Sequence, residues 1–173
     1  NLDVHTLDAV LLTHIHIDHA GGIEDFITHF PDTPVVCHSA GIPHLKDPTR
    51  LWKGSVETLG EMARVYGPIR AVPEELLQDA GQFREFGVLP VLTPGHSPHH
   101  VSYLVKDFLF AGEASGVFMA LPNERVHLRP ATPPRFYLET SVQSLKLLLD
   151  VPHEFLCYAH FGATLKTPEL LEA

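Results

Sequence analysis

Cysteine, basic charge and long apolar runs are all scarce in this chain, and each scarcity excludes something. The only two cysteines among its 173 residues, Cys37 and Cys157, cannot build a disulfide framework. Each lies in an apolar stretch (VVCHS and FLCYAH) that reads as a strand holding a small buried hydrophobe. Lysine and arginine total 12 against 21 acidic residues, for a formal charge of −9. Nucleic-acid recognition relies on basic surface to neutralise phosphates, so no nucleic-acid partner is expected. No apolar run approaches the roughly 18 residues needed to span a bilayer, and no basic leader with a small-residue cleavage site opens the sequence. No membrane association is expected, and the cytoplasm is the expected location. With 45% apolar and 19% charged residues, the composition is that of a globular protein, and the length suits one domain over residues 1–173. The sequence starts at Asn1 and closes on KTPELLEA, which reads as the opening of a helix. Both ends suggest a chain trimmed or processed from something longer.

Histidine is abundant instead: 13 residues. At neutral pH it is both a common metal ligand and a proton shuttle. His5, His29, His44, His127 and His153 stand alone among loop-like or helical residues and read as surface histidines. The others concentrate. LLTHIHIDHAGGI places His14, His16, Asp18 and His19 in six consecutive positions, after the apolar run DAVLLT and before a glycine pair.

Apolar periodicity organises the remainder. DAVLLT and TPVVCHS read as short strands, and GIEDFITHF as a helix stopped by Pro31. Lys53 to Tyr66 has helical spacing and closes at Gly67-Pro68. VPEELLQDAGQFREFG reads as a helical turn followed by a hairpin. VLPVLT, VSYLV and DFLFAG read as strands, the last two joined through Lys106-Asp107. PPRFYLETSVQSLKLLLD has prolines at its start and a long apolar stripe, marking a helix, and FLCYAH reads as a last strand. Gly116 to Pro134 reads as loop. Short strands alternating with amphipathic helices give a layered α+β domain.

On extended chain, His14 and His16 point to the same side, so one ion can take both. Asp18 and His19 follow at the turn as a second pair, with Gly21-Gly22 allowing that turn to be tight. Three later strands each run into a ligand-type residue beside glycine: TPGHSPHH with His96, FLFAGEASG with Glu113 and CYAHFG with His160.

H-x-H-x-D-H followed by a lone histidine, a lone acid and a last histidine resembles the metallo-β-lactamase superfamily. GHSPHHVSYLV is most similar to its type II glyoxalase branch. The resemblance implies an αββα sandwich, here without its usual N-terminal strands. It also implies one or two divalent ions, zinc first, with iron or manganese as alternatives. His14, His16 and His96 would hold the first ion, and Asp18, His19 and His160 the second. Glu113 stands where an aspartate normally bridges. The implied activity is that of a metal-dependent hydrolase. Its metal-activated hydroxide would attack a small ester, thioester or lactone, with Asp18 as the catalytic carboxylate orienting the nucleophile or moving its proton.

Two features depart from the pattern. Glu113 carries one methylene more than aspartate, which weakens the bridge unless the backbone at Gly112 and Gly116 compensates. Only about a dozen residues precede His14, so an exposed strand edge would favour homo-oligomers. A weakened second position would suit a mononuclear iron centre like that of the persulfide dioxygenases, or a non-catalytic member that keeps one ion. His38, His99 and His100 read as lining or supporting residues, and Arg125, Arg129 and Arg135 as cations of a solvated loop, with an anionic group of a small-molecule substrate as their alternative partner.

Overall fold

A computed structural model describes residues 6–123 and 125–165. His5 and the KTPELLEA segment lie outside the described residues. The chain divides into two units, Asn1–Phe83 and Arg84–Ala173.

The first unit is built on a short parallel sheet. Strands β1 (Val10–Leu11) and β2 (Val35–Cys37) pair in register Val10 with Val35, and β2 pairs in turn with β3 (Leu77–Asp79). The fully buried VVC of β2 matches a strand covered on both faces, as parallel sheets require. Helices α1 (Ile17–Ala20), α2 (Ile23–His29), α3 (Ile42–Lys46), α4 (Thr49–Leu59) and α5 (Glu61–Tyr66) complete the unit. Leu12, Ile15, Ile23, Ile27, Val35, Cys37 and Leu45 pack into one apolar cluster. Two expectations need correction here. The helix expected over Lys53 to Tyr66 begins earlier and breaks at Gly60, whose φ of 57° and ψ of −125° lie outside helical geometry. The segment after Val72 forms one 3₁₀ turn, Glu74–Leu76, and then a parallel strand on β2 rather than a hairpin. Apolar periodicity sees side chains, not which edge of a sheet is still unpaired.

The second unit holds a five-stranded sheet in the order β10-β9-β6-β5-β4, from β4 (Val88–Leu92), β5 (Val101–Val105), β6 (Phe108–Gly112), β9 (Phe155–Tyr158) and β10 (Ala163–Leu165). The turn between β5 and β6 has Lys106 at φ 54°, the left-handed conformation such tight connections need. Strands β6 and β9 pair in parallel, so their C-terminal ends lie side by side. Gly116 to Pro134, read as loop from sequence, contains the antiparallel hairpin β7 (Val117–Ala120) and β8 (Val126–Arg129). Helix α6 runs from Leu138 to Asp150, several residues beyond the prolines expected to start it. Leu109, Ala111, Phe118, Leu148 and Leu156 form the apolar centre of this unit. The mixed α/β character expected from the sequence is present in both units. No helix among the described residues is long and apolar enough to cross a membrane.

Leu148 has no solvent exposure and lies at the heart of that cluster. Leu148→Ala is expected to lower unfolding free energy by about 2–5 kcal/mol, measured by urea denaturation. Burial, reinforced by the Asp79 carboxylate, pushes the Cys37 thiol up from 9.0 to about 12. A folded pKa above the unfolded one gives stability that is complete below pH 9 and lost as pH rises towards 12. Native protein at pH 8 should therefore leave Cys37 unreactive to a thiol reagent. Its stability should fall on going above pH 9, with a shallower slope in Cys37→Ala.

Candidate metal centre

The first unit presents four of the expected ligands on one short excursion. After Leu12, whose N–H bonds Val36 O, the chain runs extended through His14 and His16 before α1 begins. Alternation along this stretch sends Ile15 and Ile17 into the interior, at 2% and 4% exposure. The two histidines are thereby turned to the other side. His14 Nε2 lies 3.1 Å from His16 Nδ1, while His14 Nδ1 meets Thr13 Oγ1 at 3.0 Å. Asp18 and His19 sit in the first turn of α1, with Asp18 Oδ2 3.5 Å from His19 Nε2. The ring centroids of His14 and His19 are 4.2 Å apart, so the two pairs adjoin.

The second unit brings together the other three. His96 Nδ1 donates to Ala131 O at 3.0 Å, which orients the ring and turns Nε2 towards Glu113. That Nε2 lies 2.8 Å from Glu113 Oε2, and Glu113 Oε1 lies 3.5 Å from His160 Nε2. One carboxylate thus spans two imidazoles, and the extra methylene of glutamate does not carry it past them. Glu113 opens a 3₁₀ turn, Glu113–Ser115, between Gly112 at φ 60° and Gly116 at φ 84°. A Cβ on Gly116 would stand 2.5 Å from Arg129 O, so only glycine permits that approach.

His100 anchors this turn. Its Nε2 accepts the Glu113 N–H at 3.2 Å, which requires Nδ1 to carry the ring proton. Nδ1 then donates to Thr93 Oγ1 at 2.8 Å, Thr93 to Ser102 Oγ at 2.9 Å, and Ser102 to Ala111 O at 3.0 Å. Every donor in the chain has its acceptor, and all three side chains are buried. Thr93 and Ser102 were not singled out from the sequence, although a hydroxyl at a buried strand position is a legible signal. His38 plays a local part: its Nδ1 accepts the Ala40 N–H at 3.0 Å in the turn after β2.

The donor chemistry fits a divalent cation. Zinc holds imidazole nitrogen and carboxylate oxygen at about 2.0–2.2 Å, so ligand atoms sharing an ion stand roughly 3 Å apart. The spacings of 3.1 Å in the first unit and 2.8 Å in the second match. At 2.8 Å, His96 Nε2 and the Glu113 carboxylate are joined by a ring proton or by a cation that takes both as ligands.

Residues 1–160 match the description "Metallo-beta-lactamase superfamily". The chain belongs to that superfamily. It is 30% identical to "Metallo-beta-lactamase fold-containing protein ST1585" of Sulfurisphaera tokodaii over 96% of this chain and 64% of that protein. It is 32% identical to the hydroxyacylglutathione hydrolase of Yersinia enterocolitica over 88% of this chain and 47% of the relative. The chain therefore spans between about half and two thirds of the length of these relatives. Among solved structures, ST1585 superposes with a TM-score of 0.83 at 29% identity, covering 98% of this chain and 66% of that one. TTHA1623 in a di-iron-bound form gives 0.59 at 30% identity, covering 91% and 72%. The fold is that of the metallo-β-lactamase superfamily, and the similarity to hydroxyacylglutathione hydrolases accords with a type II glyoxalase-like branch.

Removing His100 strands the Glu113 N–H and opens space in a packed region. His100→Ala is expected to destabilise the protein by about 2 kcal/mol or more. It should also weaken metal binding by about 10–100-fold, the range for residues that orient ligands. Chemical denaturation and a chelator-competition titration measure the two effects.

Proposed function

We propose that the chain is a metal-dependent hydrolase of small esters, thioesters or lactones, with His14, His16, His96 and Glu113 as one candidate ligand set and Asp18, His19 and His160 as a second, Glu113 serving both. The observation that carries this reading is the Glu113 carboxylate, which addresses one histidine from each proposed ligand set. Similarity to hydroxyacylglutathione hydrolases supports a thioester or related acyl substrate. The di-iron form of TTHA1623 supports iron alongside zinc as the resident metal.

When bound, the ions lower the pKa of water towards neutrality and polarise the substrate carbonyl. The chain's own residues do the rest. His96 is held by Ala131 O with its Nε2 directed at Glu113. Glu113 would supply negative charge to cations held by the two ligand sets. Asp18 combines a carboxylate at 36% side-chain exposure with a position beside His19, so it can exchange protons with solvent. It takes the proton released as the water oxygen bonds to the acyl carbon. As the carbon–sulfur or carbon–oxygen bond breaks, Asp18 returns that proton to the leaving atom, and the products are a carboxylic acid and a thiol or alcohol.

Protein loaded with zinc or iron(II) and offered a panel of thioesters, lactones and β-lactams should hydrolyse thioesters or lactones. Its rate should be at least ~100-fold above His16→Ala, beyond what loss of a merely supporting residue costs. Two bound ions without turnover on any member of the panel would remove the hydrolase reading. One tightly bound iron after anaerobic purification, without hydrolysis, would favour a mononuclear iron oxidoreductase.

A further inference from the structure

His96 stands in the loop between β4 and β5, well past the end of its strand at Leu92. The loop is folded on itself, with the Gly95 and His100 N–H groups both bonded to Ser97 O. Three successive loop residues are also hydrogen-bonded to one later stretch, Ala131 to Ser144. Ser144 Oγ donates to Pro94 O at 2.6 Å, the Tyr137 N–H donates to Gly95 O at 3.2 Å, and His96 Nδ1 donates to Ala131 O at 3.0 Å.

Tyr137, Ser141 and Ser144 follow one side of α6, at the spacing of neighbours on a helix surface. Ser141 and Ser144 are 8% and 5% exposed, and the fully buried Leu148 continues the same stripe. Serine is a poorer helix former than alanine, so two of them on a buried helical face mark a demand other than helix formation. At Ser141 the demand is space. A Cβ on Gly95, where φ is 140°, would run into Ser141 Oγ and stand 2.7 Å from its Cα. At Ser144 it is the hydrogen bond to Pro94 O.

We propose that α6 is the element that positions His96, with Ser144 as a positioning residue and the contact of Gly95 with Ser141 as the seat of the loop. The inference rests on the ligand assignment above and deepens it, because the spacing of His96 and Glu113 is then set from two sides. His100 holds the Glu113 backbone, and α6 holds the loop that carries His96. Placement of a ligand within about 0.5 Å decides whether a metal site works. The Pro94 carbonyl lies two residues before the imidazole, and without the Ser144 hydroxyl it loses a buried donor. The loop is then free to move off the helix, and the loss falls on metal affinity as well as on folding.

The test reads metal binding directly. Wild-type protein and variants are titrated with zinc against a chromophoric chelator, and separately with cobalt(II), whose visible absorption reports coordination geometry. Ser144→Ala should weaken zinc binding about tenfold, the lower end of the range for residues that orient ligands, and should alter the cobalt spectrum. Gly95→Ala should weaken it by about 100-fold. Gly95→Ala combined with Ser141→Gly should regain part of that affinity, although a glycine inside α6 lowers stability. Tighter binding in a less stable protein is a result that a merely structural role does not give. Ser144→Ala carries the test if Gly95→Ala does not fold. Zinc affinity and cobalt spectrum unchanged in Ser144→Ala, with only the urea midpoint lowered, overturn the positioning role and leave the hydrolase standing. The expected losses of affinity, in a protein that hydrolyses no substrate, keep the positioning role and overturn the hydrolase. Wild-type protein that binds neither ion overturns both.

Discussion

The arrangement of the second unit turns on one carboxylate. Glu113 stands within 2.8 Å of His96 and 3.5 Å of His160, and both histidines are held by structure outside themselves. His96 is pinned through its other ring nitrogen to Ala131 O, and His160 follows β9, which lies in register beside β6. A carboxylate this little exposed is costly unless positive charge meets it. The histidines, the glycine-flanked turn and the His100 relay are therefore parts of one electrostatic requirement, and the donor set suits the divalent cations that the superfamily binds.

The relay shows how that requirement reaches into the fold. A single proton order runs from the Glu113 N–H through His100, Thr93 and Ser102 to Ala111 O. Reversing any one bond would leave a buried donor facing a donor or a buried acceptor facing an acceptor. The order locks the His100 tautomer and with it the height of the Glu113 backbone. A hydrogen-bonded network of this kind is worth having only when complete, and here it ties three strands to one ligand-bearing turn.

What the sequence disclosed follows from period and spacing. H-x-H on extended chain sets two imidazoles on one side because the intervening isoleucines are drawn into the core, and alternation alone reveals that. His96, Glu113 and His160 were legible because each follows an apolar strand and neighbours a glycine. The β7–β8 hairpin was not legible: Leu121-Pro122-Asn123 and the charged residues around it read as loop, and its strands are partly exposed. Gly60 hid a break because glycine inside a helical pattern is often tolerated. The role of β3 depended on an open edge of β2, which no local pattern encodes. His100 looked supportive from its place beside His96, but its partners Thr93 and Ser102 become visible only when β4, β5 and β6 are laid side by side.

Parallel pairing of β6 with β9 has a consequence for how such a protein can diversify. The hydrogen bonds between these strands fix the distance from Glu113 to His160 whatever chain connects them. That connection contains the β7–β8 hairpin and α6. Apart from Gly116, the α6 serines that face the His96 loop and the Ala131 carbonyl that holds His96, residues there can be exchanged, lengthened or shortened while the ligand-bearing end of the sheet keeps its dimensions. The candidate ligands at the strand ends and the chain that varies between them thereby occupy largely separate stretches of one polypeptide, joined at the turn that begins with Glu113 and at the His96 loop, which Ala131 O and α6 hold.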